Sequence, residues 1–310
     1  MKRNQNVDIL RGIATIAVII GHAIQRGLVI NYSSNLLFKF IYAFHMPLFI
    51  FLSGYTLFIS NPKYDKKFIW KKIKRLLFPL IIWSYIMFFV KDFTFVGIKP
   101  FIQFPDSIIE YSKFLIFHPD MIYWFLYILF IYNLIFYIGS KLPKKYFNTF
   151  IITIAIVLWN LPISAFGIYW LRIYFPIFVT GYLMGKYKII IKELKHYIIP
   201  AILFIIIYFP TWNPGDERIL VTYLLATSII LILCVVIKII KKAFPLKILS
   251  WFGKHSMEFY LCQCLCLNIG IGTNKIRVLT IFISATIIST LLVYITNKFK
   301  IIKKLLYGVS

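Results

Sequence analysis

Apolar blocks recur along the whole chain, and short polar segments that are mostly basic separate them. Each block has roughly the 20 residues that a helix needs to cross about 30 Å of hydrocarbon. A β-barrel would instead show short segments of alternating polarity. The pattern predicts an all-α fold of about ten transmembrane helices. They cover approximately residues 8–28, 36–59, 76–95, 120–138, 147–163, 168–185, 197–212, 218–237, 248–270 and 277–297.

The composition agrees with an integral membrane protein. Hydrophobic residues make up 61% of the 310 residues, and the mean hydropathy is +0.83. A soluble domain is close to half apolar. The first block lacks a small-residue cleavage site and is followed by further blocks, so we expect no cleavable signal peptide. We expect one transmembrane domain over 1–310, with no soluble domain attached.

The charge is strongly unbalanced, with 35 Lys and Arg against 10 Asp and Glu and a net charge of +25. In a soluble protein this excess would favour nucleic acid as a partner, but the cytoplasmic loops of membrane proteins also collect Lys and Arg. With the N-terminus inside, 24 of the 35 basic residues fall in the predicted cytoplasmic segments and eight in the outer ones. The asymmetry predicts cytoplasmic N- and C-termini and explains the charge without nucleic acid.

Two further patterns concern metal binding and the membrane interface. The four cysteines have neither the spacing of metal ligands nor that of a disulfide framework, so we expect small buried side chains and no metal site.

In the long outer segment over about 92–119, apolar residues recur at helical spacing between Pro105 and His118. This periodicity predicts an amphipathic helix in the membrane interface.

The stretch DILRGIATIAVIIGH over 8–22 carries three ionisable groups inside the first predicted span. Such groups are costly in a membrane unless they are paired or hydrated, so they are functional candidates. Arg11 and His22 are 11 positions apart, which places them on one helix face about 16 Å apart along the axis. Asp8 lies one turn before Arg11, which predicts a local ion pair. The alternative places Asp8 and Arg11 at the inner interface and makes His22 a hydrogen-bonded core residue.

The second predicted span contains the stretch YAFHMPLFIFLSGY over 42–55. Since the first two spans are antiparallel neighbours, we expect His45 at a depth similar to that of His22. Pro47 is expected to kink the helix, because proline removes a backbone hydrogen bond and clashes with the preceding turn. Ser53 and Gly54 are small enough to allow tight helix packing.

A basic run, KKFIWKKIKRLLFP over 66–79, leads into the third predicted span. On a helix its basic residues fall on adjoining faces: Lys67, Lys71, Lys72, Lys74 and Arg75. The run is either a positive-inside signal that attracts anionic lipid or a cradle for phosphates. In such a cradle Arg binds bidentately and Lys acts as a point charge. Charge alone leaves both interpretations open.

Six stretches, taken in order, resemble the membrane-bound acyltransferase-3 family, whose bacterial members acylate cell-surface sugars. They are the Arg11–His22 spacing, FHMPLFIFLSGY at 44–55, WKKIKRLLFP at 70–79, YWFLYILF at 123–130, FPIFVTGYLMGK at 175–186 and ILSWFGKHSMEFYL at 248–261. The chain departs from the family pattern in two places. Lys72 stands where Arg is frequent, and Cys262 and Gln263 stand where a histidine often follows Tyr-Leu.

The resemblance implies an acyl-CoA donor on the cytoplasmic side, with acetyl-CoA as the common choice, and no metal. It implies a hydroxyl of a cell-surface or lipid-linked glycan as acceptor, and a multi-pass location in the bacterial cytoplasmic membrane. Under it, Arg11 would hold the donor and His22 would act as general base, because imidazole titrates near working pH. The CoA phosphates would be bound by the basic residues Lys67, Lys71, Lys72 and Arg75.

Other polar residues of the spans would have supporting roles. Ser53, Tyr123 and Trp124 are candidates for hydrogen bonds to the developing oxyanion. Asp8 would keep Arg11 charged and oriented, and His45 is a further supporting or acceptor-side candidate. Arg172 and Glu258 would bind the acceptor or lock helices together.

Two other functions fit parts of the pattern. A transporter or exporter of a polysaccharide or lipid-linked sugar would also have many spans and charges inside the membrane. It predicts inverted internal repeats, which the sequence does not show clearly. A purely structural membrane subunit would give no reason for the helix face that Arg11 and His22 share.

Overall fold

A computed structural model of the protein describes residues 4–28, 30–93, 104–118, 123–161, 168–187, 195–240 and 245–308. Within these ranges every regular element is helical, which confirms the predicted all-helical class. The α-helices are α1 (Gln5–Leu28), α2 (Leu36–Ser60), α3 (Lys66–Val90), α4 (Ile108–Phe117), α5 (Trp124–Gly139), α6 (Lys144–Asn160), α7 (Ile168–Lys186), α8 (Ile198–Tyr208), α9 (Ile219–Ile239), α10 (Pro245–Lys254), α11 (Ser256–Cys262), α12 (Asn274–Lys298) and α13 (Lys300–Tyr307). Short 3₁₀ turns lie at Tyr32–Ser34, Lys195–Tyr197 and Gln263–Cys266.

Five helices of the described ranges are long and apolar enough to cross a membrane, namely α1, α2, α3, α9 and α12. They coincide with the predicted spans 8–28, 36–59, 218–237 and 277–297 and with most of 76–95. Helices α5 and α8 are also apolar but shorter. The protein is therefore a helical membrane protein, while ten spans and cytoplasmic termini stay predictions.

Two elements differ from the prediction. The predicted span 248–270 is not one continuous helix, because it is divided into α10, α11 and a 3₁₀ turn. The division follows Gly253, and glycine is among the weakest helix formers. The segment Ile73–Leu77 inside α3 is a π-helix. The parts of the predicted spans and outer segment that lie outside the described residues are 94–103, 119–122 and 162–163.

Polar residues between the apolar blocks set where several helices begin. The side chains of Asn35, Asp65 and Ser107 accept hydrogen bonds from the backbone N–H three residues later, at 3.0, 2.9 and 3.2 Å. Caps of this kind satisfy N–H groups that have no partner in the first helical turn. The cap at Ser107 starts α4, which confirms the helix predicted between Pro105 and His118.

The chain packs into two compact units. The first consists of Met1–Asn61, Ile177–Tyr260 and Gly270–Ile283, and the second consists of Pro62–Pro176, Leu261–Ile269 and Ser284–Ser310. Helices α1, α2, α8, α9 and α10 lie in the first unit, and α3 to α6 and α13 lie in the second. A single domain over 1–310 stays a prediction.

In the first unit α1 and α10 touch backbone to backbone. A Cβ atom on Gly12 would overlap the carbonyl oxygen of Leu249, and one on Gly253 would overlap the carbonyl oxygen of Asp8. Each helix therefore supplies a glycine where the main chain of the other passes. Small residues permit this close approach, which is common between helices in membranes.

A second close contact joins α2 to the C-terminal half of α7. A Cβ atom on Gly54 would overlap the carbonyl oxygen of Phe178, and one on Gly181 would overlap that of Phe51. The predicted tight packing at Gly54 is thus present. Because α2 also packs on α1, it is held on two sides within the first unit.

In the second unit the end of α13 is anchored on α3. The Trp83 indole N–H donates to the carbonyl oxygen of Leu306 at 2.9 Å. The Tyr307 side chain is fully buried, with its hydroxyl 3.0 Å from that of Thr296. Gly308 has φ +61° and lies against the carbonyl oxygen of Lys74. Only glycine combines this backbone conformation with so close an approach.

We expect Gly12→Ala to destabilise the protein by about 1–3 kcal/mol, because the added methyl group would overlap the backbone of α10. Gly185→Ala is the matched control, since its methyl group would meet only the side chain of Phe58, at 3.1 Å. Thermal unfolding of the purified protein in detergent measures the difference. Equal unfolding midpoints for the two variants would contradict the backbone contact.

Candidate active site

The residues predicted on one face of the first span lie on one continuous helix. Helix α1 runs without interruption from Gln5 to Leu28, so Arg11 and His22 share a face and lie about 16 Å apart along its axis. Both side chains are half-buried. Asp8, one turn before Arg11, is buried. The arrangement places a cation and an imidazole at two depths of the same helix.

Arg11 is held by a hydroxyl of the neighbouring helix. Its Nη2 donates to Oγ1 of Thr56 on α2 at 3.2 Å. The Thr56 hydroxyl in turn donates to the carbonyl oxygen of Leu52 at 2.7 Å, so its lone pairs face the guanidinium. Sequence reasoning missed Thr56. The available signal is its position directly after the stretch 44–55 that carries the family resemblance.

His22 has a hydrogen-bond partner on its own helix. Its Nδ1 lies 3.4 Å from Oε1 of Gln25, and the same oxygen accepts from the Tyr42 hydroxyl at 3.4 Å. A ring proton on Nδ1 makes His22 the donor to this amide oxygen and leaves the lone pair on Nε2. In this tautomer Nε2 is the ring nitrogen that can accept a proton. Sequence reasoning missed both Gln25 and Tyr42, although Gln25 lies one turn after His22.

His45 is buried beside this group. Its Nδ1–H donates to the carbonyl oxygen of Ile41 at 2.7 Å, and its ring packs edge-on against that of Tyr42 with centroids 4.8 Å apart. The imidazoles of His22 and His45 are close enough to interact electrostatically. The structure thus brings together His22, Gln25, Tyr42 and His45 on α1 and α2.

Two other predicted residues of the first unit have local partners. The Ser53 hydroxyl donates to the carbonyl oxygen of Phe49 at 2.8 Å, within α2. The Glu258 carboxylate is buried and lies 3.4 Å from Nδ1 of His255, one turn earlier. The first contact lies within α2, and the second lies at the start of α11.

The basic run lies in the second unit, on the first turns of α3. Lys67, Lys71 and Arg75 are exposed, and Lys72 is half-buried with its Nζ 5.2 Å from the centre of the Phe68 ring. Lys72 interacts electrostatically with both Lys71 and Arg75. Like charges gathered on an exposed helix surface form a binding surface for anions.

The π-helical segment Ile73–Leu77 contains part of this basic run. A π-turn holds an extra residue, so it changes the direction of the side chains that follow, and such turns are frequent at functional sites. Gly308 packs against the backbone of Lys74 and Arg75. The anchored end of α13 therefore supports the segment that orients Arg75.

Three further predicted residues also lie in the second unit. Tyr123 is buried, and its hydroxyl donates to the carbonyl oxygen of Leu261 at 3.3 Å. Trp124 is half-buried at the start of α5. Arg172 donates from Nη2 to the carbonyl oxygen of Trp159 at 3.3 Å, while its Nε is buried without a hydrogen-bond partner in the described part of the chain.

The described residues contain no group of three or more His, Cys, Asp or Glu side chains that could hold a metal ion. The four cysteines are free thiols. Cys262 Sγ lies 3.3 Å from the Tyr307 hydroxyl, so this thiol helps to anchor α13.

A family model matches most of the chain, and a curated relative matches part of it. The family model described as an acyltransferase domain matches residues 4–298. Nodulation protein NolL of Sinorhizobium fredii (strain NBRC 101917 / NGR234) is 29% identical over 202 residues, which are 59% of this chain and 49% of NolL. The aligned part thus spans about half the length of this relative. No solved structure matches the chain.

We expect Thr56→Val to destabilise the protein by about 1–3 kcal/mol, because it removes the hydroxyl that accepts from the Arg11 guanidinium. Thr227→Val is the matched control. The Thr227 hydroxyl has the same backbone bonds within its helix, to Tyr223 at 2.8 Å and Leu224 at 3.1 Å. Unfolding in detergent compares the two variants, and an equal loss would contradict a stabilising role of the Arg11–Thr56 hydrogen bond.

Proposed function

Because the chain belongs to the acyltransferase-3 family, whose model covers residues 4–298, we propose that it is an acyl-CoA-dependent O-acyltransferase that modifies a glycan. The acyl group, acetyl in the first instance, moves to a hydroxyl of a cell-surface or lipid-linked sugar. The protein acts as one multi-pass domain in the cytoplasmic membrane of a bacterium. The observation that carries the proposal is the face of α1 on which Arg11 and His22 are each held by a defined partner.

His22 is the general base in this proposal. Its Nε2 takes the proton from the acceptor hydroxyl as the oxygen attacks the thioester carbonyl carbon. The tetrahedral intermediate then collapses, the C–S bond breaks, and the CoA thiolate takes the proton back from the imidazolium. Gln25 stabilises the charged ring by accepting from Nδ1–H, and the Tyr42 hydroxyl fixes the orientation of Gln25.

Arg11 binds the donor rather than the reacting carbonyl. The separation of about 16 Å along α1 is too long for Arg11 and His22 to contact the same thioester. An extended pantetheine arm can bridge this distance, with its phosphate end toward Arg11 and its thioester near His22. The bond to Thr56 fixes the plane of the guanidinium, and Asp8 one turn earlier stabilises its charge.

The basic run of α3 binds the phosphates of the CoA moiety in this proposal. Four side chains take part, and they are Lys67, Lys71, Lys72 and Arg75. Arg75 offers a planar fork for bidentate contact, whereas the lysines contribute point charges. Their mutual repulsion is relieved when an anion binds, so the charge arrangement favours a polyphosphate ligand.

The other predicted residues divide by the contacts they make. Glu258 and Arg172 stabilise helices in this proposal, because one pairs with His255 and the other bonds the end of α6. Ser53 and Tyr123 already donate their hydroxyl protons to backbone carbonyls, so either must turn before it can donate to an oxyanion. Trp124 belongs to the acceptor side, and His45 supports the ring of Tyr42 beside the base.

We expect His22→Ala to lower acyl transfer at least about 100-fold, because the general base is lost. The measurement is incorporation of radiolabelled acetyl groups from acetyl-CoA into glycan by membranes that carry equal amounts of each variant. His118→Ala, at the exposed end of α4, is the control and should keep wild-type activity. Undiminished transfer by His22→Ala would refute the mechanism.

We expect the double substitution Lys71→Glu with Arg75→Glu to raise the KM for acetyl-CoA about tenfold or more, with a smaller effect on kcat. Both side chains are exposed, so folding should tolerate the change. Lys144→Glu, on an exposed lysine at the start of α6, controls for charge reversal alone. If it raises the KM equally, the run on α3 is not the phosphate site.

A further inference from the structure

Three aromatic side chains form a parallel stack where α5 and α7 begin. Trp124 is the first residue of α5, and Trp170 and Tyr174 lie one turn apart near the start of α7. The centroid of the Trp124 ring is 4.5 Å from that of Trp170 and 5.4 Å from that of Tyr174, with interplanar angles of 17° and 16°. Trp170 and Tyr174 are 6.0 Å apart and within 5° of parallel. We call these three side chains the aromatic stack.

A buried layer supports the aromatic stack from within the second unit. All three of its side chains are half-buried, whereas the neighbouring Tyr132 and Phe175 are buried. The Tyr132 hydroxyl bonds the carbonyl oxygen of Trp170 at 3.4 Å, and its ring packs on Phe175 with centroids 5.1 Å apart. The stack is therefore held in place before any ligand arrives, which lowers the entropy cost of binding.

Membrane anchoring does not account for this geometry. Aromatic residues that anchor spans lie individually at the level of the lipid headgroups. Phe89, near the end of α3, has this character, with 65% of its surface exposed. The rings of the aromatic stack instead lie face to face across two helices, and each keeps only part of its surface open. A flat, partly open surface of this kind is suited to a flat ligand.

We propose that the aromatic stack binds a sugar ring of the acceptor. One face of a pyranose carries C–H groups that pack on an aromatic ring, while its hydroxyls point outward around the edge. Trp and Tyr combine a broad apolar face with an N–H or O–H at the rim that can reach such hydroxyls. The proposal rests on the glycan acceptor of the proposed function and assigns it a subsite.

The predicted topology places the aromatic stack on the side where a surface glycan arrives. Helix α5 is followed by Lys141, Lys144 and Lys145, and α7 ends at Lys186, so their C-terminal ends have the charge of cytoplasmic ends. Their N-terminal ends, which carry the stack, are then the outer ends. The adenine of CoA is the other flat ligand of the reaction, and it would enter from the opposite side.

The test measures binding of the glycan and binding of acetyl-CoA independently. In membranes carrying wild type or Trp170→Ala, glycan isolated from the same bacterium is varied at saturating acetyl-CoA, and acetyl-CoA is varied at saturating glycan. We expect Trp170→Ala to raise the KM for glycan about tenfold or more, with the KM for acetyl-CoA within about twofold of wild type. Trp170→Phe, which keeps a flat ring, should recover most of the loss.

Phe89→Ala is the control for loss of an exposed aromatic side chain, and it should leave both constants unchanged. If Trp170→Ala behaves like Phe89→Ala, the stack has no role in acceptor binding and the proposal is wrong. If only the KM for acetyl-CoA rises, the stack binds the donor and the proposal is equally wrong.

A direct titration tests the sugar subsite even if the proposed function is wrong. If wild type transfers no acetyl group to glycan, the proposed function fails. Purified wild type and Trp170→Ala are then titrated with the neutral trisaccharides of glucose and of N-acetylglucosamine, and tryptophan fluorescence is followed. Saturable quenching by either sugar in wild type that is lost in Trp170→Ala supports a sugar subsite, and its absence in wild type overturns it.

Discussion

The contact between the backbones of α1 and α10 is the constraint on which the rest of the first unit depends. Gly12 and Gly253 bring the two main chains so close that neither helix can rotate or slide without an overlap. A rigid α1 in turn determines which of its side chains face α2 and which face α10. The pairing of Arg11 with Thr56 is therefore a consequence of helix packing as much as of chemistry.

Three polar side chains of the first unit find hydrogen-bond partners close by. Arg11 uses a hydroxyl of the adjacent helix, His22 uses an amide one turn away, and His45 uses a backbone carbonyl of its own helix. Burying a polar group without a partner is costly where water is absent. Short local partners meet this requirement, and because both accept from Nδ1–H they also favour one tautomer of each histidine.

Much of the helical pattern could be predicted from the sequence, because a membrane span requires a continuous run of apolar residues. The bounds of α1, α2, α9 and α12 agree with the apolar blocks to within a few residues. The break between α10 and α11 and the π-turn of α3 were not predicted, because a single glycine does not show where a helix ends and because both places lie against the backbone of another helix. For the same reason the spacing of Arg11 and His22 was evident, but their partners Thr56 and Gln25 were not, because a partner depends on which helix faces which.

The anchoring of α13 has a consequence for assembly. Helix α3 is synthesised long before α13, so Trp83 and the π-turn acquire their contacts with Leu306 and Gly308 only when α13 has been made. Membrane proteins are built from the N-terminus onward, as other chains are. The basic run thus reaches these surroundings only after α13 has been made. A chain that stopped before α13 would retain α3 but lack these contacts.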